Sequence, residues 1–376
     1  MAKIEKKDWT SSFTLVGELK ISDYTFNINK HSENNPNWVY NSANIGVYCG
    51  EKCGTVFGEL MGGYNESGDN NVIYAHGKND DGSDNWSDQI KVDWDKRNDP
   101  AVMDTVGERC FITVGLEKTS ENKTFYKKFL SAYDAIEYIQ SVASNGLIVN
   151  VKGNLKYSMY KGEVSVKKTI TSIALSKAEP DKFSATFVQS ILVDKDSFDK
   201  SNADKEKGIV PIDCKVLDYC KEIDGVEIKS QYPYSYCFEL QVDFNKPEMC
   251  KYYATSLFKV KKGYTQITFK GEFIESGAAV TATMDDVPDD IKALIAAGIY
   301  TEEEALKKCS ANGKSERRMV LTKPDFKQID GNIVLQVFEE RYTDDDFVFD
   351  IPEAAKTESE DKPESLEEFN LEDLFG

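Results

Sequence analysis

The chain has 376 residues, 40% hydrophobic and 11% aromatic, which is enough apolar material for a buried core and too much for a wholly disordered protein. No run approaches the roughly 18 apolar residues of a membrane-spanning helix. The N-terminal MAKIEKKDWTSS lacks the apolar stretch of a secretory leader, and eight scattered cysteines fit reduced thiols, so a cytoplasmic protein is expected with no membrane contact. The formal charge of −19 argues against a polyanionic partner until it is located. From Thr343 to Gly376 thirteen acidic residues face two lysines, a local −11, which leaves only −8 on the rest of the chain.

In chain order, the first strand-like segment is TLVGELKISDYTF (Thr14–Phe26), followed by NPNWVYNSANIGVYCG and GTVFGEL. The acidic DNWSDQIKVDWD around Trp86 and Trp94 reads as solvated surface. FYKKFLSAYDAIEYIQSVAS places Phe129, Ala132, Tyr133, Ile136 and Ile139 at helical spacing, with Asn145-Gly146 to stop it. LIVNVKGNLKYSMY and EVSVKKTITSIAL then form a hairpin across a short polar turn. Further strands are predicted in TFVQSILVDKDSF, PYSYCFELQVDF, YTQITFKGEFIE and NIVLQVFEERY, with a second helix over VPDDIKALIAAGIYTEEEALKKCSANG.

Two pairs of segments match in the same order. Thr14–Phe26 lies on Thr186–Phe198 at an offset of 172, and Tyr160–Val166 lies on Ile329–Leu335 at 169. The pattern predicts a duplicated, mainly β unit of around five strands with one helix before its last hairpin. That is the order of an OB-fold barrel, and a β-sandwich leaves the helix unexplained. The expected organisation is two tandem OB-fold-like barrels, residues 1–178 and 179–342, followed by a disordered acidic tail over 343–376.

Catalytic motifs are scarce. The two histidines, His31 and His76, lie in polar, loop-like sequence, and no phosphate-binding glycine loop is present, so neither an enzyme nor a cofactor is expected. Cys49 and Cys53 have zinc-like spacing without a second pair, which favours a turn with half-buried thiols over a metal site. Asp344, Asp345 and Asp346 are better read as solvated surface than as ligands for a divalent cation.

Aromatic residues interleaved with lysines carry more information. SQYPYSYCFEL puts Tyr232, Tyr234, Tyr236 and Phe238 on one face of a strand. Candidate contacts to an unpaired nucleic-acid strand are Trp38, Tyr40 and Tyr48; Lys152, Lys156, Tyr157 and Tyr160; Tyr234 and Tyr236; and Phe258, Lys259, Lys261, Lys262 and Tyr264. Aromatic faces stack on bases and lysines neutralise phosphates. The competing reading is that these rings fill the barrels. Basic residues continue at Arg317, Arg318, Lys323 and Lys327.

With the tail residues Asp361, Glu364, Glu367, Glu368, Glu372 and Asp373 ahead of a Leu374–Phe375 tip, the pattern resembles the replication single-stranded DNA-binding proteins of bacteria and tailed bacteriophages. The resemblance implies a protein that coats single-stranded DNA in replication and recombination. It also implies recruitment of a polymerase, helicase or primase through Leu371, Glu372, Asp373, Leu374 and Phe375, and a tail that competes with DNA for a basic groove. A phage-encoded protein would act in the host cytoplasm. The terminal Gly376 departs from the Pro-Phe ending of bacterial members. A non-enzymatic structural or interaction β-module, such as a virion component, is the alternative; a metal-dependent nuclease is a weaker third reading.

Overall fold

Strand β1 (Ser11–Lys20) alternates buried Phe13, Leu15 and Leu19 with half-exposed neighbours, the period-two pattern of a strand with one face in a core. The structure, a computed structural model, describes residues 4–349 except 69–70, 161, 224–225, 277–283, 285–286, 303–304, 307–315 and 330. After β1 come β2 (Phe26–His31), β3 (Trp38–Tyr48) and β4 (Thr55–Asn65). A hairpin arm follows, of β5 (Val72–Lys78) and β6 (Asp84–Asp93), then the one-turn α1 (Pro100–Met103) and the hairpin β7 (Ile112–Lys118) and β8 (Thr124–Phe129). Helix α2 (Ala132–Val142), β9 (Ile148–Tyr160) and β10 (Glu163–Leu175) complete this half.

The pairings β1–β3, β3–β4, β4–β10, β10–β9 and β9–β1 close a ring of five strands; only β4–β10 is parallel. This is the strand order of an OB-fold, and α2 sits between the third and fourth ring strands. Its Ile136 and Ile139 are fully buried against the ring's core. Ser131 caps the helix by accepting from the Tyr133 N–H at 3.1 Å, so Phe125–Phe129, expected within the helix, are instead strand β8. The acidic DNWSDQIKVDWD stretch is strand β6 as far as Asp93 and mostly exposed, and both histidines lie on strands rather than loops.

The second half runs β11 (Ser184–Val193), β12 (Ile209–Ile223), β13 (Val226–Gln241), α3 (Pro247–Tyr252) continuing into a π-turn (Tyr253–Leu257), and β14 (Tyr264–Ser276). Then come α4 (Asp289–Ala296), β15 (Glu316–Pro324), a small hairpin of β16 (Phe326–Ile329) and β17 (Asn332–Leu335), and β18 (Val337–Tyr342). Here β11–β12, β12–β13, β13–β15, β15–β14 and β14–β11 close a second ring, again with one parallel pair, β13–β15. Two details repeat. Phe13 pairs with Gly153 in the first ring and Phe187 with Gly271 in the second, and a Cβ on either glycine would run into the phenylalanine ring and a strand carbonyl. Beside each glycine the ladder slips, and a threonine hydroxyl reaches back across it: Thr171 Oγ1 to Lys152 O at 3.3 Å, Thr322 Oγ1 to Lys270 O at 3.0 Å.

These markers correct the sequence alignment. Phe13 corresponds to Phe187, two residues away from the register of the sequence match. A shift of two leaves every side chain on its own face, so the apolar pattern could not detect it. The second match is not equivalent: Ile329–Leu335 is the separate β16–β17 hairpin, whereas β9–β10 corresponds to β14–β15. The helix in the OB position is α3, while α4, the helix read from sequence, lies between β14 and β15.

The rings join through antiparallel pairing of β1 with β11, in which Phe13 faces Phe187. A local pseudo-twofold therefore passes through this pair. Beside it, buried Asp218 of β12 accepts from Lys6 Nζ and the Tyr157 N–H, both at 2.9 Å, with Lys156 Nζ at 3.7 Å. The acidic C-terminal stretch does not begin as free chain. Thr343 and Asp346 form a capping box, Tyr264 donates to Asp344 at 2.9 Å, Phe347 stacks on Tyr342 and Phe349 packs on Tyr232. The tail expected from residue 343 thus has packed residues through Phe349, and its remainder lies outside the described residues.

Replacing Gly153 or Gly271 with alanine should each lower unfolding free energy by about 1–3 kcal/mol, because the added methyl overpacks the Phe–Gly contact. Urea unfolding midpoints of the two variants would then fall by similar amounts, whereas a loss at one site alone would contradict the equivalence of the rings.

Candidate nucleic-acid interface

OB-folds take their ligands on the outer face of the second and third ring strands. In the first ring these are β3 and β4, whose register is Trp38↔Asn65, Tyr40↔Gly63, Ser42↔Met61, Asn44↔Glu59, Gly46↔Phe57 and Tyr48↔Thr55. The odd residues of β3, including Val39, Ile45 and Val47, are buried, so Trp38, Tyr40 and Tyr48 all point outward, half-buried. Across from them on β4 stand Phe57 and Met61, the latter 61% exposed. Gly46 lets the Phe57 ring lie close over the strand, since a Cβ there would sit 3.0 Å from Phe57 Cε1. Lys20 Nζ lies 5.8 Å from the Tyr48 ring centroid, and Lys167 Nζ 4.0 Å from Glu59. The result is a strip of four aromatic rings and a methionine along one hairpin.

The strip runs into a basic cleft where the rings meet. The Arg317 guanidinium of β15 is 5.0 Å from the Phe57 ring, and Lys168 Nζ of β10 is 5.1 Å from the Phe273 ring of β14. The cleft holds about 200 Å³ between Val56, Val164, Lys168, Phe273, Arg317 and Met319. Burial and then the neighbouring Arg317 hold the Lys168 amine below the usual lysine value, against the pull of Glu59. Half-buried Lys168 and exposed Arg317, kept close, favour an anion between them. Arg318 beside them is committed to Glu239 at 2.8 Å.

The corresponding face of the second ring, on β12 and β13, is chemically different. Its depression of about 490 Å³ is lined by Asp194, Asp196 and Asp213, with Lys215 the one cation among the described lining residues. A polyanion is repelled there.

The other sequence-predicted residues scatter accordingly. Tyr157, Tyr234, Phe258 and Tyr264 are buried at 3%, 2%, 5% and 8% exposure, so they form the core instead of a stacking platform. Tyr157 donates to Gln189 at 3.1 Å, Tyr234 packs edge-on to Tyr232, and Phe258 stacks on Phe198 at 4.8 Å. The tyrosine row of β13 faces inward, and Tyr236 is wedged between Tyr157 and Phe238. Phe258 follows the α3–π-turn helix. Lys152 and Tyr160 are exposed on β9, Lys156 is drawn to Asp218, and Lys259 is exposed in the loop before β14. Lys261 and Lys262 rim a separate small cleft with Asp194, Lys195 and Asp344. Leu371, Glu372, Asp373, Leu374 and Phe375 lie outside the described residues. Phe57 and Met61 were missed, although the alternation of TVFGELM placed them opposite Val56, Gly58 and Leu60.

Cys49 and Cys53 are buried in the β3–β4 turn, where Cys49 donates to Val47 O at 3.4 Å and burial pushes its thiol up to about 12.

No curated protein matches the sequence. Solved structures that overlap it weakly include two forms of one protein. The wild-type single-stranded DNA binding protein from Thermus aquaticus has 8% identity and a TM-score of 0.29, covering 71% of this chain and 86% of that one. A deletion mutant of that protein, with one further substitution, has 9% identity and a TM-score of 0.29, covering 71% and 88%. So weak a superposition carries no functional information, and the OB assignment rests on the strand pairings. Residues 72–265 match the sequence profile of the YorF family, a span that begins at the hairpin arm and ends at the start of β14. Since that match covers just over half of its length, the chain belongs to the YorF family.

Proposed function

We propose that this protein binds single-stranded DNA along the β3–β4 face, with bases stacked on Trp38, Tyr40, Tyr48 and Phe57 and phosphates led into the Lys168–Arg317 cleft. One observation carries this reading: the outward aromatic strip of the first ring ends at two cations, while the same face of the second ring is acidic. Aromatic faces accept any base and cations accept any phosphate, which suits a strand-coating protein without sequence preference. In this reading residues 1–178 form the binding unit, and residues 179–342 form a second unit that supplies Arg317 and closes the cleft. This DNA-binding role is non-enzymatic: the protein works in the cytoplasm during DNA replication and recombination, and recruits replication proteins through Leu371–Phe375. The tail's charge also competes with DNA for the cleft.

Anisotropy titrations with labelled single-stranded and duplex DNA at two salt concentrations test the binding face. Trp38→Ala and Tyr40→Ala should each weaken single-strand binding by about 1–3 kcal/mol, the cost of one lost base stack. Arg317→Ala should instead weaken binding to all sequences and lower the salt slope by about one phosphate. No single-strand binding at low salt, or duplex bound equally well, would sink the proposal.

A chain ending at Phe349 keeps the packed residues and loses most of the acidic segment. It should bind single-stranded DNA more tightly than the full chain at low salt, with the difference fading as salt screens the tail. Equal affinities at low salt would remove the tail from the mechanism and leave the binding face standing.

A further inference from the structure

The hairpin arm brings together three side chains that the binding face does not use. His76 of β5 has Nδ1 3.1 Å from Cys110 Sγ and Nε2 2.8 Å from Asp84 Oδ1. Cys110 lies in the turn before β7 and Asp84 begins β6, so the cluster is assembled from three segments rather than from one local turn. Asp84 also accepts the Arg109 N–H at 3.1 Å, and that bond, with the His76 contact, holds its carboxyl below the usual range against desolvation. An ionised carboxylate only accepts hydrogen bonds. His76 Nε2 must therefore carry a proton, and in the neutral imidazole that leaves Nδ1 as an acceptor facing the thiol. The His76 backbone N–H points at the same sulfur, at 3.4 Å, and supplies a donor to any negative charge formed there. Trp86 stacks on the imidazole at 4.1 Å between centroids, with the Arg109 guanidinium 5.9 Å from the indole. The ring is thus fixed at both nitrogens and on one face.

This is the arrangement in which an imidazole, oriented by a carboxylate, takes the proton of a thiol as the sulfur attacks. We propose that Cys110 is a base-assisted nucleophilic thiol, and that its substrates are peroxides, which convert it to a sulfenic acid. In the step the sulfur lone pair forms an S–O bond, the O–O bond breaks, and the thiol proton passes to His76 Nδ1. The departing hydroxide takes that proton and leaves as water. The sulfur loses two electrons and the peroxide gains them; one thiol condenses with the sulfenic acid to a mixed disulfide and water, and a second thiol displaces Cys110 in the reduced state. Burial pushes the Cys110 thiol up, so little free thiolate stands ready at neutral pH and the reaction depends on transfer to His76 within the step. The inference is independent of nucleic-acid binding.

The test uses the full chain at neutral pH with limiting hydrogen peroxide, sulfenic acid trapped by dimedone and located by peptide mass spectrometry. Exposed Cys237, whose thiol burial and Asp213 push up to about 11, is the internal reference. Cys110 should label about 100-fold or more faster than Cys237, the low end of what a positioned base contributes. His76→Ala should remove most of that advantage while Cys237 labelling stays unchanged, and Asp84→Asn should reduce it by less. Labelling of Cys110 no faster than Cys237 in the unaltered protein overturns the proposal without any variant. An unchanged Cys110 rate in the His76 variant overturns it as well. If His76→Ala unfolds the arm, the Asp84→Asn rate decides, and no loss there counts against the proposal.

Discussion

The antiparallel pairing of β1 with β11 is the constraint on which the rest depends. Each strand serves three ladders, two within its own ring and one to the other ring, so neither can shift without opening both barrels. The seam is also polar inside. Gln189 and Ser190 are fully buried, yet Gln189 accepts from Ser11 at 2.8 Å and from Tyr157, and donates to the Ser190 carbonyl at 2.7 Å. Ser190 meets Thr268 at 2.8 Å and exchanges bonds with the Thr10 backbone. Buried polar groups that are fully partnered tolerate few alternative registers, so this network fixes the angle between the rings as well as joining them.

That fixed angle makes the cleft. The tip of the β3–β4 hairpin is carried to β14 of the second ring, where Lys52 pairs with Glu272, and β15 is carried to β4, where Arg317 meets Phe57. Neither ring alone holds both the aromatic strip and the two cations. The duplication has diverged in the expected place: the strands that weld the rings keep their Phe–Gly contacts, and the outer faces, free of that duty, differ in charge.

Much of the fold was legible from alternation. The segments EVSVKKTITSIAL and YTQITFKGEFIE correspond to β10 and β14 almost residue for residue, because a half-buried strand shows its period directly. What alternation does not reveal is which face is the core when both faces are apolar. Tyr232, Tyr234, Tyr236 and Phe238 looked like a platform and are the inner face, since their partners on that strand, Ser235 and Cys237, are the exposed ones. Trp38, Tyr40 and Tyr48 share the outer face because Val39, Ile45 and Val47 between them are plainly core. Contacts between distant segments left no trace in sequence: nothing in it set Arg317 beside Phe57, or Cys110 beside His76.

An acidic protein can still hold a polyanion if its charges are separated by more than the screening distance, about 8–10 Å near physiological salt. Three aspartates gather on the second ring's face, and the densest acidity follows Thr343, whereas Lys20, Lys167, Lys168 and Arg317 border the aromatic strip. From Trp38 to Tyr48 the strip follows about ten residues of strand, roughly 33 Å, room for on the order of five to ten nucleotides. In the proposed binding mode the acidic face is a boundary, since a strand leaving the cleft would gain nothing by continuing across the second ring. On the proposed binding mode the path is confined to one side of the molecule, and the net charge of −19 marks where a strand would be excluded as much as where it would be held.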